Sequence, residues 1–76
     1  MENEKYKNYL YDLGFLLKEY ALEAKRDFDQ ESDEFNAGYV SCFHRVISLM
    51  QQQAEAFDIP VEEIGLNGVD ADEDLI

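Results

Sequence analysis

From Ala37 to Ala54 the chain carries a single formal charge, Arg45, with His44 as the only other side chain that can become cationic. A third of this 76-residue sequence is charged, so a stretch this neutral does not read as an ordinary surface helix. Advancing by about 100° per residue, Phe35, Tyr39, Val40, Phe43, Val46, Ile47, Leu49, Met50, Ala54 and Phe57 fall within about half of a helical wheel. That arc is wider than the stripe a helix needs to rest on one neighbour. The opposite side holds Ala37, Ser41, His44, Ser48, Gln51, Gln52 and Glu55, polar but small and mostly uncharged, which suits the approach of another backbone. Gly38 near the start admits two readings, a close contact or a frayed first turn. The spacing therefore predicts a central helix over about 33–57, with the other segments wrapped around it or paired against a second copy.

The segment before it predicts another long helix, over about 4–27. Its main stripe is Tyr6, Tyr9, Leu10, Leu13, Leu16, Leu17, Tyr20, Ala21 and Ala24, at the three-and-four spacing of a packed helix. Tyr11, Phe15 and Leu22 make a second stripe on nearly the opposite side. Two apolar stripes require two neighbours. One is expected to be the central helix, the other a symmetry mate or the chain's own C-terminal segment. Between the helices an acidic turn is expected at about 28–32, with Ser32 or Asp29 as the helix cap. A connection that short makes the two helices an antiparallel hairpin.

Asp58-Ile59-Pro60 should stop the central helix, because the residue before proline is pushed out of helical geometry. A short helix over about 60–64, closed by Gly65, is expected next. Ile59, Val61, Ile64, Leu66 and Val69 are too apolar to float and should fold back on the hairpin. Residues 67–76 read as an acidic, solvated tail. The expected fold is thus all-α: an antiparallel two-helix hairpin plus a short C-terminal helix, one domain, doubled into a homodimeric four-helix-type bundle. A chain of this size has a marginal core alone. With Cys42 as the only cysteine, a disulfide within the chain is excluded. Cys42 lies on the apolar arc and reads as a buried thiol in a reducing, cytoplasmic setting. No run approaches the ~20 apolar residues of a membrane span, and no secretory leader is legible at the start.

Net charge is −12 and unevenly distributed. Residues 1–28 hold six acids and five bases (−1), and residues 29–76 hold twelve acids and one base (−11). Direct binding to nucleic acid or an anionic membrane is electrostatically disfavoured, whereas a basic protein partner would be attracted.

No constellation of side chains supports catalysis, a cofactor or a metal. His44 is the only histidine, and Cys42 two positions away points to another side of the helix. No helical carboxylate completes a triad with His44 and Ser48, so His44 reads as a surface or interface residue. The alternating acids of the turn lack the glycine and closing glutamate of a calcium loop. The candidate residues are accordingly those of surfaces. Tyr11, Phe15, Leu22, Tyr39, Phe43 and Ile47 are the candidate interface. Asp27, Asp29, Glu31, Asp33 and Glu34 form a candidate acidic surface. The expected function is a non-enzymatic protein–protein interaction module acting as a homodimer. One alternative is an acidic nucleic-acid mimic that inhibits a basic DNA- or RNA-binding protein, with the turn's carboxylates standing in for phosphates. Another is a divalent-metal or small-ligand binder using the same acids.

The stretch VISLMQQQAEAFDIPVEEIGLNGVDADEDLI, residues 46–76, resembles a set of small hypothetical helical proteins of proteobacterial type, some carried on mobile or cassette elements. The resemblance rests on the MQQQA…F and IGLNGVD segments and brings no assigned activity. It implies an accessory protein–protein role.

Overall fold

The computed structural model describes residues 2–76. Two long helices, α1 (Glu2–Gln30) and α2 (Glu34–Ala56), run antiparallel. They are followed by a 3-10 turn (Val61–Ile64) and a one-turn helix, α3 (Ala71–Asp74). No strand occurs among the described residues. The all-α hairpin with a short C-terminal helix is therefore the observed architecture.

The core forms where the two long helices meet in a heptad-like seam. Leu17, Ala21, Ala24 and Phe28 of α1 lie against Val40, Phe43, Ile47, Met50 and Ala54 of α2, all buried or half-buried, and Gly14, in the same α1 row, meets the 3-10 turn. Each row alternates steps of three and four, as two helices packed along their length require. On α1 the buried positions are small, so the larger Ile47 and Val40 of α2 fill the space. This corrects the sequence expectation for α1. Most of its main stripe (Tyr6, Tyr9, Leu10, Leu13, Leu16 and Tyr20) is exposed, and of that stripe only Leu17, Ala21 and Ala24 pack into the core.

The element boundaries differ from expectation where side chains override the acidic pattern. α1 continues to Gln30 because Lys25 ion-pairs with Asp29 at 2.9 Å and lies 5.5 Å from the centroid of the Phe28 ring, which itself packs on the core. The connection is thus only residues 31–33. Asp33, not Ser32 or Asp29, caps α2 by accepting the Asn36 N–H at 2.8 Å. Ser32 instead turns back and donates to the Phe28 carbonyl. At the far end α2 closes with paired turn bonds, Asp58 N–H to Glu55 and Ile59 N–H to Ala54. Asp58 there adopts the left-handed conformation, at φ 56°.

The C-terminal segment folds back, as its apolar residues require. Ile64, Leu66 and Val69 are buried. In the acidic tail Asp70, Asp72, Glu73 and Asp74 are exposed, as expected, while the backbone forms a capped turn. Asp70 accepts from the Asp72 and Glu73 amides, and its own N–H donates to Asp74. This reciprocal capping starts α3, and Leu75 is then fully buried against the hairpin.

Two glycines let this segment lie against α1. A Cβ on Gly14 would overlap the Ile64 carbonyl, and one on Gly65 would overlap the α1 backbone at Tyr11 and Phe15. Gly65 also has φ 73°, the left-handed region that closes the 3-10 turn. Gly38, by contrast, has nothing within 4 Å of a built Cβ, so neither close contact nor core packing explains it.

Opposite signs are expected for two Gly→Ala changes. Gly14→Ala should cost about 2–3 kcal/mol through overpacking against backbone, lowering the melting temperature by roughly 10 °C or more. Gly38→Ala should raise stability by about 1 kcal/mol, the helix-propensity difference. Urea and thermal unfolding followed by circular dichroism check both.

Candidate interaction surface

Each long helix carries a second apolar row, one position before its buried one. On α1 it is Tyr6, Tyr9, Leu13, Leu16 and Tyr20, and on α2 Phe35, Tyr39, Cys42, Val46 and Leu49. The same alternation of three and four repeats in both. One position is a rotation of about 100°. Because the helices are antiparallel, the same rotation in each helix's own frame carries both rows to the same side of the hairpin. At the open end of the hairpin a hollow is lined by Leu10 from α1, by Met50, Gln53, Ala54 and Phe57 at the end of α2, and by Ile59 and Ile64 of the segment that follows.

The C-terminal segment occupies the other side. Lys7 pairs with Glu63 at 3.3 Å, and Lys18 donates to the Asn67 carbonyl at 3.0 Å. From α2, Gln51 donates to the Val69 carbonyl at 3.0 Å, and His44 Nε2 lies 2.9 Å from Asp72. One side of the hairpin is therefore covered by the chain itself and the other is open.

From Tyr6 to Tyr20 on α1 and from Phe35 to Leu49 on α2 the open face is apolar, and the same α1 register continues into the exposed acids Glu23 and Asp27 at the turn end. Six rings on it (Tyr6, Tyr9, Tyr20, Phe35, Tyr39 and Phe57) are between 41% and 78% exposed. At about 200 Å2 per aromatic side chain they leave roughly 700 Å2 in water. Phe35 and Tyr39 stack at 6.1 Å, and Tyr39 meets Phe43 edge-on at 5.3 Å. Along the α2 row between Phe35 and Phe57 the only charged side chain at the border is Arg45, which makes no ion pair among the described residues.

The sequence-derived interface residues separate into three groups. Tyr39 lies on the open face. Tyr11 and Phe15 are partly exposed and stacked on each other at 6.5 Å, but they flank the Gly65 contact on the covered side. Their stripe's neighbour is thus the chain's own C-terminal segment, with Lys18 over the Phe15 ring at 5.2 Å. Leu22, Phe43 and above all Ile47, which is 0% exposed, pack in or against the core. Ile47 is thus enclosed within the chain, whereas Leu22 and Phe43 keep part of their surface exposed. Tyr6, Tyr9, Leu13, Leu16 and Tyr20 were assigned to packing, and Phe35 and Leu49 to the central helix's buried arc. Their surface role was legible only as a second heptad register one residue out of phase with the first. Cys42 is likewise corrected, from buried thiol to exposed member of the open row.

The acidic candidates are dispersed into local structure. All five are exposed around a three-residue bend, with Asp29 paired to Lys25 and Asp33 accepting from the Asn36 amide. Among the described residues, no three His, Cys, Asp or Glu side chains come together to hold a metal ion, and no helix is long and apolar enough to cross a membrane.

Core and surface placements make different stability demands. Ile47→Val should lower the unfolding free energy by about 1 kcal/mol, the cost of one buried methyl. Tyr39→Ala, measured in dilute solution by urea unfolding, should stay within about 0.5 kcal/mol, as surface changes do. No family model matches this chain, and no curated protein or solved structure matches it.

Proposed function

We propose that this protein is a non-enzymatic protein–protein interaction module that acts as a homodimer through the open face of its hairpin. The observation that carries the reading is the pair of unoccupied heptad-spaced apolar rows, side by side on α1 and α2. Rows with this spacing accept helices, since each side chain enters a hole between four residues of a facing helix. A second copy brings two such rows with the same dimensions, and a closed pair satisfies all four. The exposed ring surface alone exceeds the ~300–600 Å2 patch usual on a monomer. It approaches the ~800 Å2 that each partner contributes to a standard interface.

Charge favours the same reading. Most of the acids behind the net charge of −12 lie outside the two apolar rows, with Glu23 and Asp27 of α1 at the turn end of the open face. Two copies can approach with their apolar faces in contact and their carboxylates in water. Long-range repulsion between them falls as salt shortens the Debye length from about 10 Å at 0.1 M to about 3 Å at 1 M.

Light scattering on the full chain at tens of micromolar should give twice the chain mass, and added salt should strengthen association. Leu16→Lys and Leu49→Lys should each weaken it at least about tenfold, since a charge would be buried unpaired, while the far-ultraviolet circular dichroism stays unchanged. A single-chain mass throughout that range overturns the homodimer. Capture of a basic protein that salt releases would instead favour an electrostatic partner.

A further inference from the structure

Beyond the existence of a dimer, the open face has a direction. Its most exposed apolar side chain, Phe35 at 78%, stands at the turn end of the α2 row. At the opposite end of the same face lies a hollow of about 200 Å3 lined by Leu10, Met50, Ala54, Phe57, Ile59 and Ile64. Its scale is that of a single aromatic ring, since a cavity of about 150 Å3 lined by such side chains takes up benzene. The one other lining residue is Gln53, so the hollow offers a ring little to hydrogen-bond and much to pack against.

We infer that two copies pack head to tail, about a two-fold axis perpendicular to the long helices, each seating its Phe35 in the hollow of the other. This inference rests on the homodimer reading above. Phe35 and the hollow are about 30 Å apart along α2, at 1.5 Å per residue, within a molecule 45 Å long. A perpendicular two-fold through the middle of the face, near Arg45 and Val46, exchanges these two ends. It therefore makes the knob-and-hollow contact twice, as an isologous interface must. An axis parallel to the helices would instead bring Phe35 level with its own counterpart and leave both hollows without an occupant. The Phe35 ring is held ready by its stack on Tyr39, which rests edge-on against the half-buried Phe43.

The test combines a distance with a deletion. A spin label placed through Glu31→Cys in a Cys42→Ser background sits at the turn, where Glu31 is exposed. Head-to-tail packing puts the two labels of a dimer about 40 Å apart, from the helix rise over the intervening residues. Pulsed dipolar resonance should find that separation. Phe35→Ala should weaken self-association about tenfold or more, as removal of a pocketed aromatic anchor does, with the dilute-solution unfolding curve unchanged. A label separation below about 25 Å (some 16 residues of helix rise) in a particle of dimer mass overturns the direction and leaves the dimer standing. A 40 Å separation with undiminished association of the Phe35→Ala variant overturns the seating of that ring. Absence of dipolar coupling together with a single-chain mass overturns the dimer and this geometry together.

Discussion

Backbone lies directly on backbone where Gly14 of α1 meets the Ile64 carbonyl and Gly65 meets α1 between Tyr11 and Phe15. A side chain at either position would hold the C-terminal segment away from the helix. With both absent, the 3-10 turn sits deep enough for Ile64, Leu66 and Val69 to reach the groove between α1 and α2. Gln51 then satisfies the carbonyls of that segment from the other helix. A chain of 76 residues has little core to spare, and this third layer supplies a large share of it.

Closing one side of the hairpin this way fixes what the other side must do. Two helices in antiparallel contact have one seam between them and two flanks. The C-terminal segment uses one flank and, with it, much of the chain's aliphatic content. What is left for the second flank is aromatic and unpartnered, with tyrosines whose rings prefer burial and whose hydroxyls tolerate water. The acids follow the complementary logic. Most of them cap α2 and α3, pair with Lys25 or lie outside the apolar rows, so the flank stays apolar over most of its length and meets acids, Glu23 and Asp27, at the turn end.

Much of this was legible in the residues. The two long helices, their antiparallel pairing and the return of the segment after Pro60 follow from periodicity, a short acidic connection and unhoused apolar side chains. The position of the seam within each helix was not legible from a wheel. On α1 one expected stripe holds both Leu17, Ala21 and Ala24, which pack in the core, and the larger Tyr9, Leu13, Leu16 and Tyr20, which stay exposed, because close helix approach selects for small side chains rather than apolar area. The acidic end was legible only in part. Asp70, Asp72 and Asp74 are exposed, as expected, but Leu75 anchors them and Asp70 caps the turn they form.

By itself the sequence determined the helical class, the hairpin and the separation of charge from apolar surface, since these depend on local spacing and composition. Only the tertiary structure decided which of two apolar rows on each helix is inside. Adjacent rows are one residue out of phase and equally helical, so local spacing cannot rank them. The choice is made by the C-terminal segment, which docks through Gly14 and Gly65 on one flank and leaves the opposite flank, with Tyr9, Leu16, Phe35 and Leu49, facing outward.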